Sequence, residues 1–209
     1  MGHYFLNDDN LKSQIREYKT IINNYEFKFK TDNGVFSKDE LDFGSWLLIN
    51  TVLKLKITGK VLDLGCGYGP IGIILNKLLN VYVTMIDINK RAIHLANMNI
   101  KENNCINIQA VVSDGFLNVN NKYDYIISNP PIRIGKDKLY SLIKTAKNYL
   151  NENGIIYIVI RKEQGAKSFI NDFENEFEMQ ILEKKKGFYI ISLKNQFLSW
   201  LLSKIMLLI

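Results

Sequence analysis

From residue 59 onward the chain alternates short apolar runs with longer amphipathic stretches, and this alternation leaves few folds open. The runs at 60–65, 81–87, 106–112, 123–128 and 155–160 are rich in Val, Ile and Tyr and lack strict polar alternation. Strands buried on both faces read this way. The stretches at 70–80, 89–103, 136–151 and 164–177 carry helical periodicity. In the second, Ile88, Ala92, Leu95, Ala96 and Ile100 share one face, while Asn89, Lys90 and Lys101 lie elsewhere. Such a succession predicts an α/β fold with a doubly wound, mostly parallel sheet and right-handed crossovers. Both ends depart from it. Segments 179–183 and 188–193 flank Lys184-Lys185-Lys186-Gly187, which predicts a C-terminal antiparallel hairpin with Gly187 in the turn. Segment 25–30 alternates strictly and runs into Thr31-Asp32-Asn33-Gly34 and Val35-Phe36-Ser37, which predicts an N-terminal β-hairpin turning there, ahead of a helix over 43–54.

At 209 residues the chain is shorter than the roughly 250 at which single cores split, so one domain is expected. Within it, 1–58 forms an N-terminal elaboration, 59–195 the core, and 196–209 an apolar tail. A composition 47% hydrophobic and 23% charged excludes disorder. The net charge of +6 fits a nucleic acid or another anionic partner. It also fits the Lys, Asn and Ile bias of an AT-rich genome, so charge alone leaves both readings open. Cys66 and Cys105 make no disulfide framework, and residues 1–6 lack the charged start of a secretion signal; a reducing, cytoplasmic setting is expected. His3 and His94 are too distant for a metal site or a triad, so no metal is expected. The tail from Phe197 to Ile209 is 13 residues, short of the about 20 that span a bilayer as a helix. Packing on the domain or burial in a second copy, giving a homodimer, is expected over a membrane role.

The strongest site signal is Asp63-Leu64-Gly65-Cys66-Gly67-Tyr68-Gly69-Pro70, where a strand runs into spaced glycines and then a helix. Such a turn lets a ligand approach backbone that side chains would otherwise block. A dinucleotide fingerprint requires a third glycine at 70, which is Pro, and a P-loop requires Lys at 73, which is Ile. A purely structural turn is the alternative. Asp87 ends the next strand, where an acid can accept both hydroxyls of a ribose or merely cap the helix from Asn89. Asp114, before Gly115, can accept from an adenine amino group or cap a helix. The fourth strand ends in Ser128-Asn129-Pro130-Pro131-Ile132, where the prolines fix a rigid turn. The Asn129 carboxamide oxygen and the Pro130 carbonyl are then two fixed acceptors. Converging on an exocyclic amino group, they accept hydrogen bonds from both its N–H groups and draw its nitrogen toward pyramidal geometry. The lone pair is thereby freed for attack on a methyl donor, by position and electrostatics rather than by a titrating base.

Together, Asp63 to Gly69, Asp87, Asp114 and Asn129-Pro130-Pro131-Ile132 resemble class I S-adenosylmethionine-dependent methyltransferases of amino nitrogens. Gly34-Val35-Phe36-Ser37, Asp42-Phe43-Gly44-Ser45 and Gln164-Gly165-Ala166 narrow the likeness to the small methyltransferase domain family, from about 3 to 194. The resemblance implies a Rossmann-like methyltransferase fold, S-adenosylmethionine as cofactor, and transfer to guanine N2 in ribosomal RNA or an assembled subunit. Gly65, Cys66, Gly67 and Gly69 would wrap the methionine moiety, with Asp63 near its amino group. Asp87 and Ile88 would meet the ribose, and Asp114 and Gly115 the adenine. Asn129, Pro130 and Pro131 would hold the target amino group, with Ile132 facing the base. Phe36 and Gln164 would wall the pocket, and Arg133, Lys136 and Lys138 would take flanking phosphates, unless the last three are only a solvated helix start.

Two departures stand out. Relatives acting on adenine N6 or protein glutamine carry an aromatic residue where this chain has Ile132, which leaves those substrates as the alternative. The larger relatives also carry a duplicated RNA-holding domain, for which this length leaves no room. A non-catalytic RNA-binding module is the reading from another class, and the Asn129-Pro130-Pro131 acceptor pair argues against it. Lys184, Lys185 and Lys186 read equally as an RNA contact and as a solvated turn.

Overall fold

The computed structural model describes residues 12–35, 37, 39–131 and 135–195. Phe36, Ile132, Arg133 and the apolar tail lie outside the described residues. In order, the elements are β1 (Arg16–Ile22), β2 (Tyr25–Thr31), α1 (Phe43–Leu55), β3 (Lys60–Leu64), α2 (Pro70–Leu79), β4 (Tyr82–Asp87) and α3 (Lys90–Glu102). There follow β5 (Ile108–Val112), β6 (Tyr123–Ser128), α4 (Lys136–Ala146), β7 (Leu150–Arg161), α5 (Ala166–Phe173), β8 (Phe177–Lys185) and β9 (Phe188–Asn195).

The main sheet has seven strands in the order β5-β4-β3-β6-β7-β9-β8, with β3 to β7 parallel and β9 antiparallel to both its neighbours, β7 and β8. This is the Rossmann-like α/β architecture that the alternating pattern predicts. Successive strand residues point to opposite faces, and both faces are buried. Val61, Ile127 and Val159 pack under α1, α2 and α3, beside Leu48, Ile74 and Leu95. Their neighbours Leu62, Ile126 and Ile158 pack under α4 and α5, beside Ile143, Phe169 and Phe173. Two-sided burial is why these strands show no polar alternation. Strand order reverses between β3 and β6, so a crevice for a ligand is expected at their carboxyl ends.

Five boundaries differ from the sequence expectation. The N-terminal hairpin turns at Asn23-Asn24, not at 31–34, and pairs β2 with the strand before it. Asn23 and Asn24 both adopt left-handed φ, at 49° and 64°, which asparagine tolerates and a two-residue hairpin turn demands. Thr31 to Gly34 instead carries the chain away toward α1. The helix expected over 136–151 ends at Ala146, because the chain passes through a 3-10 turn into β7 at Leu150. The register shift of β7 against β6 between Tyr123 and Tyr125 accommodates polar 151–154, which disguises that start. The helix expected over 164–177 shrinks to α5, with β8 beginning at Phe177. The strand expected from 106 begins at Ile108, since Asn107 takes φ 57°. At the other end, the β8–β9 turn is only Lys186-Gly187, so Lys184 and Lys185 are strand residues.

The N-terminal hairpin joins the domain through side chains. Along β2, Lys28 N–H donates to Asn103 Oδ1 (3.0 Å) and Lys30 N–H to Asn99 Oδ1 (2.7 Å). The two carboxamides return the bonds to the carbonyls of Lys28 (2.8 Å) and Lys30 (3.0 Å). Asn99, on α3, and Asn103, its C-cap, stand one turn apart and serve β2 as a neighbouring strand would. Asn99 also donates to the Tyr68 carbonyl (2.9 Å) and is fully buried. Asn99→Ala is expected to cost about 3 kcal/mol and lower Tm by about 6–12 °C, since it strands buried backbone groups. Exposed Asn97→Ala, two residues earlier on the same helix, is the control, and thermal melts that fail to separate the two variants would refute the assignment.

Candidate active site

Five parallel strands end along one edge of the sheet, and a residue singled out in the sequence follows each of them. Gly65 follows β3, Asp87 closes β4, Asp114 follows β5, Asn129 follows β6, and Gln164 follows β7. The topology therefore brings these five to one side, around the β3/β6 crevice.

The glycine turn is pinned by backbone bonds. Gly65 and Cys66 N–H groups both donate to the Ile86 carbonyl at 2.9 Å, and Gly69 N–H to that of Cys66 at 3.0 Å. Gly65 and Gly67 hold φ of +74° and +58°, where L side chains are strained, and a Cβ at either would meet nothing within 4 Å. That face of the turn is open, so these glycines serve conformation and access rather than packing. Burial pushes the Cys66 thiol up, well out of thiolate range, so the residue contributes its backbone.

Two carboxylates lie behind this turn. Asp63 is only 1% exposed. Its Oδ2 accepts from Gly72 N–H at 2.9 Å, while its Oδ1 has no hydrogen-bond partner among the described residues. Burial pushes its pKa up to about 7, against the pull of the Gly72 N–H and with a push from the Asp87 charge. Asp87 Oδ2 accepts from Gly67 N–H (2.9 Å) and its Oδ1 from Asn89 N–H (2.8 Å); burial raises this group too. Asn89, not Asp87, caps α3, accepting from the N–H groups of Arg91 and Ala92. Ile88 is half-buried between them. Asp114 is exposed and precedes no helix: Ser113 Oγ staples the local turn by donating to the Gly115 carbonyl (2.8 Å) and accepting from Asn118 N–H (3.0 Å). The capping reading of Asp114 thereby falls away.

Asn129 is half-buried and oriented by α1. Its Nδ2 donates to Asp42 Oδ1 (3.2 Å) and to Ser45 Oγ (2.9 Å). A carboxylate only accepts, so Asp42 fixes which end of the carboxamide faces the helix. The Asn129 oxygen is turned away from α1. Asp42 is itself the N-cap of α1, accepting from Ser45 N–H at 3.0 Å. Ser128 Oγ donates to the Leu64 carbonyl (2.8 Å), tying the end of β6 to that of β3. Asp42 and Ser45 carry roles that the sequence reading did not assign. Their spacing, an Asp three residues before a Ser at a helix start, signals a cap but not the amide it holds.

The outer residues are less engaged with this crevice. Gln164 Oε1 accepts from Arg161 N–H (3.0 Å) within its own turn. Lys136 lies 2.9 Å from Asp172 and over the Tyr140 ring, drawn toward α5. Pro130 and Pro131 are half-buried, and no cis peptide occurs among the described residues. No described helix is long and apolar enough to cross a membrane.

Residues 26–192 match the methyltransferase small domain family. The uncharacterized protein YbxB of Bacillus subtilis is 40% identical over 92% of this chain and 98% of its own length. Ribosomal RNA small subunit methyltransferase C of Haemophilus influenzae is 39% identical over 78% of this chain, which spans about half (49%) of that protein. Among solved structures, the T. thermophilus 16S rRNA N2 G1207 methyltransferase in complex with AdoMet and guanosine superposes with a TM-score of 0.78. It is 23% identical, over 89% of this chain and 52% of that one, a likeness of fold.

Proposed function

The chain belongs to the methyltransferase small domain family, and from that premise we propose that it moves a methyl group from S-adenosylmethionine to guanine N2 in ribosomal RNA. The observation that carries this reading is the Asn129 carboxamide, locked by Asp42 and Ser45 with its oxygen turned away from α1. A binding module has no use for an acceptor aimed in this way.

The residues fit the cofactor. The unpartnered Asp63 Oδ1 is a buried acceptor suited to an ammonium group, and the open face at Gly65 and Gly67 admits a chain against the backbone. Asp87 offers a carboxylate to a ribose diol, and exposed Asp114 an acceptor for an adenine amino group. S-adenosylmethionine, when bound, supplies an electrophilic methyl group. In this reading the Asn129 oxygen and the Pro130 carbonyl accept hydrogen bonds from the two N–H groups of the target amino nitrogen and orient it. Neither acceptor titrates at neutral pH, so the pair acts through position and polarity. Names borne by the Haemophilus and T. thermophilus proteins favour guanine N2 and ribosomal RNA as the substrate.

The test is mass spectrometry of ribosomal RNA nucleosides from cells with and without the gene. Loss of N2-methylguanosine, restored by the wild-type gene, is the expected result. Unchanged N2-methylguanosine would overturn the substrate, and a loss of N6-methyladenosine instead would reassign it.

A further inference from the structure

Beside the Asn129 acceptor lies a surface that the proposed chemistry does not use. Phe43 and Trp46, on the first turn of α1, stack at 5.6 Å with an interplanar angle of 24°. Phe188, the first residue of β9, lies 5.5 Å from Phe43. Gly44 permits this approach, since a Cβ there would stand 3.0 Å from the Phe188 ring. The β8–β9 turn is held in place where Lys162 N–H donates to the Gly187 carbonyl at 2.7 Å. The three rings therefore form one half-buried platform, beginning one residue after the Asp42 that anchors Asn129.

Cations cover this platform. Lys186 Nζ lies 4.8 Å from the Phe43 ring centre, Lys185 Nζ 5.6 Å from Trp46, and the Arg161 guanidinium 4.7 Å from Phe188. Among the described residues no carboxylate lies within ion-pair distance of Lys185 or Lys186, and Arg161 has only exposed Glu163, at 3.9 Å. Cation–ring contacts at exposed sites contribute about 0.5–1 kcal/mol, so a phosphate backbone can draw these groups off and bare the ring faces. Stacking rings interleaved with cations is the chemistry that grips single-stranded nucleic acid.

We propose that Phe43, Trp46 and Phe188, with Lys185, Lys186 and Arg161, bind the single-stranded RNA that flanks the target base. The rings stack the neighbouring bases and the cations take their phosphates. This inference rests on the RNA reading of the site and adds the subsite that reading lacks. It also resolves the sequence ambiguity of the lysine run, because Lys185 leaves a strand beside the site rather than a free turn.

The test titrates the full chain against a fluorescein-labelled, unstructured twelve-nucleotide RNA by anisotropy, across a series of salt concentrations. Lys185→Ala/Lys186→Ala is expected to weaken binding about tenfold and to reduce the salt slope by about 1.4, at roughly 0.7 per phosphate contact on a single strand. S-adenosylmethionine affinity, measured by calorimetry, is expected to be unchanged and reports that the variant is folded. Lys54→Ala/Lys56→Ala, at the far end of α1, removes the same charge and is expected to bind as wild type. Equal weakening in both double variants, or none in the first, would overturn the subsite alone. Failure of the wild type to bind RNA would overturn the RNA reading with it.

Discussion

Asn129→Ala is expected to slow methyl transfer about 10²–10³-fold while S-adenosylmethionine affinity stays within about twofold, the size seen when one preorganised polar group is removed from a reacting centre. Single-turnover transfer of a tritiated methyl group to undermethylated ribosomal RNA reads the rate, and calorimetry reads the affinity. The two should separate because Asn129 follows β6, whereas the carboxylates suited to the cofactor, Asp63 and Asp87, lie on β3 and β4. Asp42→Ala should reproduce part of the loss. It frees the carboxamide to rotate and removes the α1 cap, a stability cost of about 1 kcal/mol. Asp42→Asn keeps most of the cap but not the acceptor-only partner, so it should slow transfer with little change in Tm. Near-wild-type transfer by Asn129→Ala would remove the acceptor pair from the mechanism.

Asp63→Asn should move stability and cofactor affinity in opposite directions. Burial holds the Asp63 pKa at about 7, above the 3.8 of an unburied aspartate. The folded state therefore favours the protonated acid. The stability that this contributes is complete below pH 3.8 and is lost as pH rises through about 7. A neutral isostere escapes the loss. Without cofactor, Asp63→Asn should melt several degrees above wild type at pH 8 and together with it near pH 4. Affinity for S-adenosylmethionine should fall about 10–100-fold at pH 8, the effect of losing a charged hydrogen-bond partner. In wild type, affinity should strengthen as pH rises from 6 to 8, because ionising Asp63 prepares it for an ammonium. A variant that melts with wild type at pH 8 would show that the acid carries no buried charge.

What could be read in the chain beforehand follows from which forces are local. The strands β3, β4 and β6 announce themselves because burial on both faces leaves residues such as Val61 and Leu62 no polar alternation. The glycine turn is equally legible, since its backbone conformation dictates its residues. The N-terminal hairpin turn is ambiguous in the sequence because Thr31 to Gly34 and Asn23-Asn24 both carry turn chemistry, and only tertiary packing decides between them. β7 began unseen because 151–154 looks like a loop. At the site, the strand-end carboxylates were visible, but the orientation of Asn129 was not. It depends on Asp42, 87 residues earlier, and on a bond that no local pattern encodes. The asparagine content, read as a genomic bias, turns out to be partly structural: Asn76, Asn89, Asn99 and Asn103 are all buried and bonded to backbone.

The asparagine pair on α3 has a bearing on solubility. An unpaired strand edge invites pairing with other chains, and β2 would present one beside the domain. Asn99 and Asn103 occupy the outward backbone groups of Lys28 and Lys30, so at those residues the edge offers no template to a second molecule. The amides of Lys28 and Lys30 consequently depend on α3 for their protection. In hydrogen exchange they should open with that helix rather than with the seven-stranded sheet.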